Sequence, residues 1–306
     1  MVPAFTPSKL PQLLISLFIF FSMPVLLSPI QSESLPPDCG ANANAAPISQ
    51  HLESLAPYDW VKQAPLISHA LGGIGGFPGT NSREALEQAY GCGHRVFETD
   101  LSVTSDGHLV LRHDWEAGTY PVLGQAVQAD NEPLTLEKFE ALPIQGHYSP
   151  VTFKELLVFM AAHPDMLLVT DTKEDDGAKA AAIFKRIVAE TKSVDPSLLG
   201  RLIPQLYQAN NYEAVNGVYP FKQYMYTLYM NKDTDEQIVR DVAAMGIRIV
   251  VMDENRYSPE FVQALKREGV YTYVNTINDI GRIEELRRDG VQGVMTDFIM
   301  PQQLPR

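Results

Sequence analysis

The sequence predicts an α/β fold, a (β/α)8 barrel carrying a hairpin extension after its second strand, and three observations predict it. Short apolar runs near 66–69, 95–101, 166–171, 202–207, 223–228, 248–252, 270–275 and 292–296 have the length of buried parallel strands. Between them, helical patterns follow Asn81, Asp176, Asn210, Asp233, Ser258 and Asn278, mostly side chains that favour a helix N-cap. This alternation repeats across residues 63–306, close to the ~250 positions that one such barrel occupies.

One arm interrupts the alternation. Glu98 to Val103 and His108 to His113 flank Ser105-Asp106-Gly107, and Asp-Gly is a strong hairpin signal. The segment from Trp115 to Pro150, with Asp130-Asn131-Glu132-Pro133 inside it, reads as a lid or insertion with a short helix. Thr152-Phe153-Lys154-Glu155 then opens the next helix as a capping box.

The chain begins differently. Lys9 precedes an apolar stretch from Leu10 to Ile30, followed by polar Gln31-Ser32-Glu33-Ser34. Residues 1–33 therefore read as a signal peptide or a membrane anchor, with Pro11, Pro24 and Pro29 favouring the cleaved signal. Either way the barrel is expected to be secreted or extracytoplasmic, with membrane association through the N-terminal segment if it is retained. Residues 34–62, rich in Pro, Ser, Ala and Asn, read as a linker. Cys39 and Cys92 are the two cysteines; export permits a disulfide between them, and two free thiols fit equally well.

Charge narrows the partners. A net charge of −13 argues against nucleic acid or an anionic membrane surface as the main partner. An acidic protein that acts on an anion needs local positive charge, which a divalent cation supplies.

Four motifs fall at strand ends or on the hairpin arm, the rim where barrel active sites sit. They are His69, Glu98-Thr99-Asp100, His113-Asp114 and Asp171-Thr172-Lys173. Residues i and i+2 of a strand share a face, so Glu98 and Asp100 aim the same way, and Asp171 and Lys173 repeat the device. Three converging carboxylates, Glu98, Asp100 and Asp171, call for a hard cation, Mg²⁺ or Ca²⁺. Lys173 adds a positive charge beside it. Imidazole as a group titrates near neutrality, so His69 and His113 can divide the roles of acid and base between them.

Other residues read more plainly. Tyr207, Tyr226, Tyr229, Tyr271 and Tyr273 are expected mainly in packing, with those at C-terminal strand ends able to line a pocket. Asp297 is expected to close the last βα turn as a structural residue. Asp253 either reaches the site or caps the next turn. Trp115, close to His113, is expected as a site wall, and Arg287-Arg288 as an exposed helix end.

Taken together, these motifs resemble the glycerophosphodiester phosphodiesterase family, of the PI-PLC-like phosphodiesterase superfamily. The resemblance rests on His69, Thr80-Asn81-Ser82, Glu98-Thr99-Asp100, Thr104-Ser105-Asp106-Gly107, His113-Asp114, Asp171-Thr172-Lys173 and Gly293-Val294-Met295-Thr296-Asp297, in that order. The strand ending Tyr273-Val274-Asn275-Thr276 also resembles the family's seventh strand. It implies that His69 and His113 are the acid–base pair, that Glu98, Asp100 and Asp171 hold the metal, and that Lys173 contacts the substrate phosphate. The substrate it implies is a small phosphodiester or a lysophospholipid.

Two departures bear on substrate. Ala70 stands where the family usually has Arg, followed by Gly72-Gly73-Ile74-Gly75-Gly76, read either as an anion-binding nest or as a flexible rim loop. Asp171 stands where many relatives have Glu, and related phospholipase-D-like toxins share this Asp-x-Lys. Transfer releasing a cyclic phosphate therefore stands beside hydrolysis, and from another class a barrel kept as a binding protein.

Overall fold

The computed structural model describes Cys39 and residues 56–128 and 131–305. The signal or anchor reading of residues 1–33 lies outside the described residues. Among the described residues nine strands form: β1 (Leu66–Ser68), β2 (Val96–Val103), β3 (Leu109–Leu111), β4 (Leu167–Asp171), β5 (Leu202–Leu206), β6 (Met225–Thr227), β7 (Ile249–Asp253), β8 (Tyr271–Asn275) and β9 (Gly293–Thr296). Eight of them pair in parallel in the order β1-β9-β8-β7-β6-β5-β4-β2, and β1 pairs with β2 to close the ring. The fold is a TIM barrel.

Nine helices follow among the described residues: α1 (Arg83–Gly91), α2 (Thr119–Val122), α3 (Leu136–Glu140), α4 (Phe153–Ala162), α5 (Gly177–Val194), α6 (Ala209–Val218), α7 (Asp235–Met245), α8 (Pro259–Arg267) and α9 (Ile280–Arg288). Asp176 and Ser258 cap α5 and α8 as expected. Ser82, Thr234 and Asp279 cap α1, α7 and α9, each one residue after the expected side chain. Thr152 and Glu155 form the expected capping box on α4.

Strand alternation sorts the core into two bodies. Ile67, Val96, Leu167, Val169, Ile203, Met225, Ile249, Val251, Tyr273 and Met295 fill the barrel interior. Phe97, Leu168, Leu202, Leu206, Tyr226, Val250 and Val274 face outward and pack with buried helix side chains such as Leu157, Phe184, Val242 and Phe261. Each such side chain contributes on the order of 1.5–3 kcal/mol of transfer free energy. Gly293 on β9 accommodates the tight contact with the chain entering β1, since a Cβ there would lie 2.1 Å from the Pro65 carbonyl oxygen.

The N-terminal end of the barrel is plugged from within the segment read as a linker. Tyr58, Trp60, Val61 and Ala64 join the interior core. Gln223 Oε1 accepts from Trp60 Nε1 at 2.7 Å and from the Tyr58 N–H at 2.9 Å. Cys39 and Cys92 form a disulfide packed on Met300.

The arm folds as the Asp-Gly signal predicts. β2 and β3 pair antiparallel through Leu101↔Leu111, Ser102↔Val110 and Val103↔Leu109, and Gly107 takes a positive φ of 92° at the turn. The insertion holds α2 and α3 over a small core of Val110, Trp115, Tyr120, Leu134 and Phe139. Trp115 is therefore a core residue of the insertion, its Nε1 donating to the Val103 carbonyl, and not the site wall expected of it.

Candidate active site

Parallel pairing of β2 with β4 sets the centre of the site. Asp100 and Asp171 are register partners across that pair, and Glu98 lies two residues earlier on the same face as Asp100. One oxygen from each of Glu98, Asp100 and Asp171 falls within a 4.8 Å cluster, and all three residues are buried. Lys173 Nζ donates to Asp100 Oδ1 at 2.6 Å and to Asp171 Oδ2.

Electrostatics there are unequal. Burial, followed by the neighbouring Asp100 charge, pushes Glu98 up to about 8. Asp100 is held well below the usual carboxylate range: burial opposes this, but Lys173, His113 and His69 outweigh it. Burial likewise opposes the charge on Lys173, and Asp100 and Asp171 override it, raising its pKa well above the ordinary value. His69 and Lys173 act to lower Glu98 but do not offset burial and the Asp100 charge, which leaves it short of counter-charge. Oxygen-only donors with that deficit fit a hard divalent cation.

The histidines stand on either side. His69, the residue after β1, donates from Nδ1 to Asp297 Oδ1 at 2.9 Å. Burial would lower its pKa, but the Asp297 hydrogen bond and the charges of Glu98, Asp297 and Asp100 carry it to about 9. His113, just past β3, donates from Nδ1 to Asp114 Oδ2 at 2.5 Å, and Asp114 Oδ1 accepts from Thr119 on α2. His69, Asp100 and His113 line one pocket of about 250 Å³, with Asn81, Asp114, Thr119, Val122 and Leu123.

Several residues at the site were read otherwise in the sequence. Asp297, expected to be structural, is the partner of His69, and Asn278 Nδ2 holds its other oxygen at 2.9 Å. Asn81, expected to cap a helix, turns its side chain onto β2, donating to Asp100 Oδ2 at 2.8 Å and accepting from Thr99. Tyr207, expected in packing, donates to Asp171 Oδ1 at 2.6 Å. Asp253 takes the second of its two expected roles, capping the turn after β7 by accepting from the Asn255 and Arg256 N–H groups.

The position after His69 has a local explanation. Ala70 takes φ 46° and donates its N–H to Glu98 Oε2 at 2.8 Å. Three N–H groups of the glycine-rich loop turn inward: Gly72 donates to His69 O, Gly73 to Asp297 O and Ile74 to Phe77 O. Those donors already have partners within the protein, in contrast to a nest opening toward an anion. Gly73 is needed for closeness, because a Cβ there would lie 2.1 Å from the Phe298 ring. Ala70, Leu71, Asn81 and Lys173 all hold positive φ, backbone strain of the kind that gathers at functional sites.

Comparison with known proteins identifies the family and the fold. The Glycerophosphoryl diester phosphodiesterase family matches residues 72–300. A glycerophosphodiester phosphodiesterase from Parabacteroides distasonis superposes with a TM-score of 0.61 at 19% identity, over 76% of this chain and 92% of that one. A Thermotoga maritima glycerophosphodiester phosphodiesterase gives 0.57 at 20% identity, over 76% and 94%. An Oleispira antarctica phosphodiesterase, solved with the product sn-glycerol-3-phosphate, gives 0.60 at 17% identity, over 79% and 95%. At such identities the structural likeness establishes the fold, while the match of the family across most of the barrel establishes descent. The chain belongs to the glycerophosphoryl diester phosphodiesterase family and is a phosphoric diester hydrolase.

Proposed function

We propose that the protein cleaves glycerophosphodiesters, or related lipid-derived diesters such as lysophospholipids, with His69 and His113 as the acid–base pair. In this reading Glu98, Asp100 and Asp171 hold a divalent cation, Mg²⁺ or Ca²⁺, and Lys173 contacts the substrate phosphate. The observation that carries it is that both imidazoles open on one pocket with Asp100, each with Nδ1 engaged by its own aspartate.

That arrangement fixes the tautomers and assigns proton transfer to the two Nε2 atoms. One histidine takes the proton of the attacking hydroxyl, and the other gives a proton to the leaving alkoxide. A bound cation would stabilise the charge that develops on the non-bridging phosphate oxygens. Lys173 places a second positive charge at the same group. The product complex of the Oleispira antarctica neighbour supports a phosphomonoester product.

Export belongs to the same proposal, with residues 1–33 as signal or anchor, 34–62 as linker and 63–306 as the catalytic domain outside the cytoplasm. The Cys39–Cys92 bond supports it, because such bonds persist in oxidising compartments. Replacing either histidine tests the mechanism. His69→Ala and His113→Ala are each expected to lower kcat/KM by about 10²–10⁴-fold with the fold intact by circular dichroism. Turnover unchanged in either variant removes that histidine from the mechanism.

A further inference from the structure

We infer that Tyr207 is a positioning residue that fixes Asp171 for cation binding, an inference that rests on the metal reading proposed above. Tyr207 follows β5 directly and is 1% exposed. Its hydroxyl donates to Asp171 Oδ1 at 2.6 Å, and the Lys173 N–H donates to the same oxygen at 3.0 Å. With Oδ1 held from two directions, the carboxylate plane is set, and Oδ2 is the oxygen that meets Lys173 Nζ beside Asp100.

The χ2 torsion of an aspartate is otherwise broad. A donor that removes this freedom before a ligand arrives lowers the ordering cost of binding it.

Tyr207 is itself held by its backbone. Asn211 Oδ1 accepts its N–H at 3.2 Å. Asn231 Nδ2 donates to its carbonyl at 3.1 Å and to the Tyr226 hydroxyl at 3.0 Å. Asn211 on α6 and Asn231 after β6 thus hold the backbone of the tyrosine that reaches Asp171 Oδ1.

Calorimetric titration of Mg²⁺ and of Ca²⁺ into the chelator-stripped full chain tests this, with melting curves taken with and without each ion. The proteins compared are wild type, Asp171→Asn, Tyr207→Phe and Asn231→Ala. Tyr207→Phe is expected to weaken cation binding roughly 10–100-fold, the range for outer-shell partners of metal ligands. The rise in Tm that the ion produces shrinks with it. Asn231→Ala, which loosens Tyr207 from behind, shifts both readouts the same way by a smaller factor and covers the case in which Tyr207→Phe does not fold.

A Tyr207→Phe protein that melts lower but binds the ion as wild type does would overturn the inference, leaving the hydroxyl a purely structural role. Wild type that binds neither ion overturns the metal reading itself. Loss of binding in Asp171→Asn with none in Tyr207→Phe overturns only the part assigned to Tyr207.

Discussion

Asparagine side chains take up much of the local hydrogen bonding behind the site. Asn81 holds Asp100, Asn278 holds Asp297, and Asn211 and Asn231 hold the backbone of Tyr207. An amide offers donor and acceptor together, so it can tie a carboxylate to a neighbouring strand without adding charge. At the opposite extreme is His94, a buried residue remote from catalysis in its chemistry. Its Nε2 donates to the Ile299 carbonyl at 3.1 Å, and Nδ1 has no hydrogen-bond partner. Burial lowers its pKa to about 4, so the unfolded chain binds more protons than the folded one between pH 6.5 and 4. Its contribution is therefore complete above pH 6.5 and is lost as pH falls toward 4, by roughly 3 kcal/mol in all. Urea unfolding of His94→Gln across that window is expected to show a shallower pH slope than wild type. Equal slopes would show that His94 is not protonated on unfolding there.

At the scale of elements, local pairing and long-range pairing divide what the sequence shows. Helix α4 is specified locally: Thr152 Oγ1 accepts from the Glu155 N–H, and Glu155 Oε2 accepts from the Thr152 N–H at 2.9 Å. Thr152→Ala is expected to cost about 1 kcal/mol in urea unfolding, against less than about 0.5 kcal/mol for exposed Lys154→Ala. Similar costs for the two would remove the cap from the account. Strands and hairpin were legible for the same reason, since a short apolar run and an Asp-Gly turn are short-range signals. Glu98 and Asp100 were legible as metal candidates because strand geometry alone puts them on one face. His69–Asp297 was not, because its members lie 228 residues apart and meet only when β9 closes against β1. Nor was Tyr207–Asp171, 36 residues apart on adjacent strand ends. The one-residue displacement of the α1 and α9 caps has a physical cause too. Asn81 and Asn278 direct their side chains to Asp100 and Asp297, and Ser82 and Asp279 cap instead.

For the whole molecule, charge and closure act together. The chain carries −13, and four of its carboxylates, Glu98, Asp100, Asp171 and Asp297, are buried at the barrel's C-terminal rim. Such a rim repels a phosphodiester until positive charge is concentrated there, which Lys173 begins and a divalent cation completes. Barrel closure brings β9, β1, β2 and β4 side by side, so Asp297 from the far end of the chain meets His69 behind the pocket. The pocket takes its outer wall, Thr119, Val122 and Leu123, from the insertion and its base from the barrel. The most direct test of metal-dependent diester cleavage is ³¹P NMR of the purified protein with glycerophosphodiesters and lysophospholipids, run with Mg²⁺, with Ca²⁺ and with chelator. Metal-dependent hydrolysis gives a new phosphomonoester resonance that grows only when one of the ions is present and is lost in Asp100→Asn. Cleavage at the same rate in chelator, or undiminished in Asp100→Asn, would contradict it.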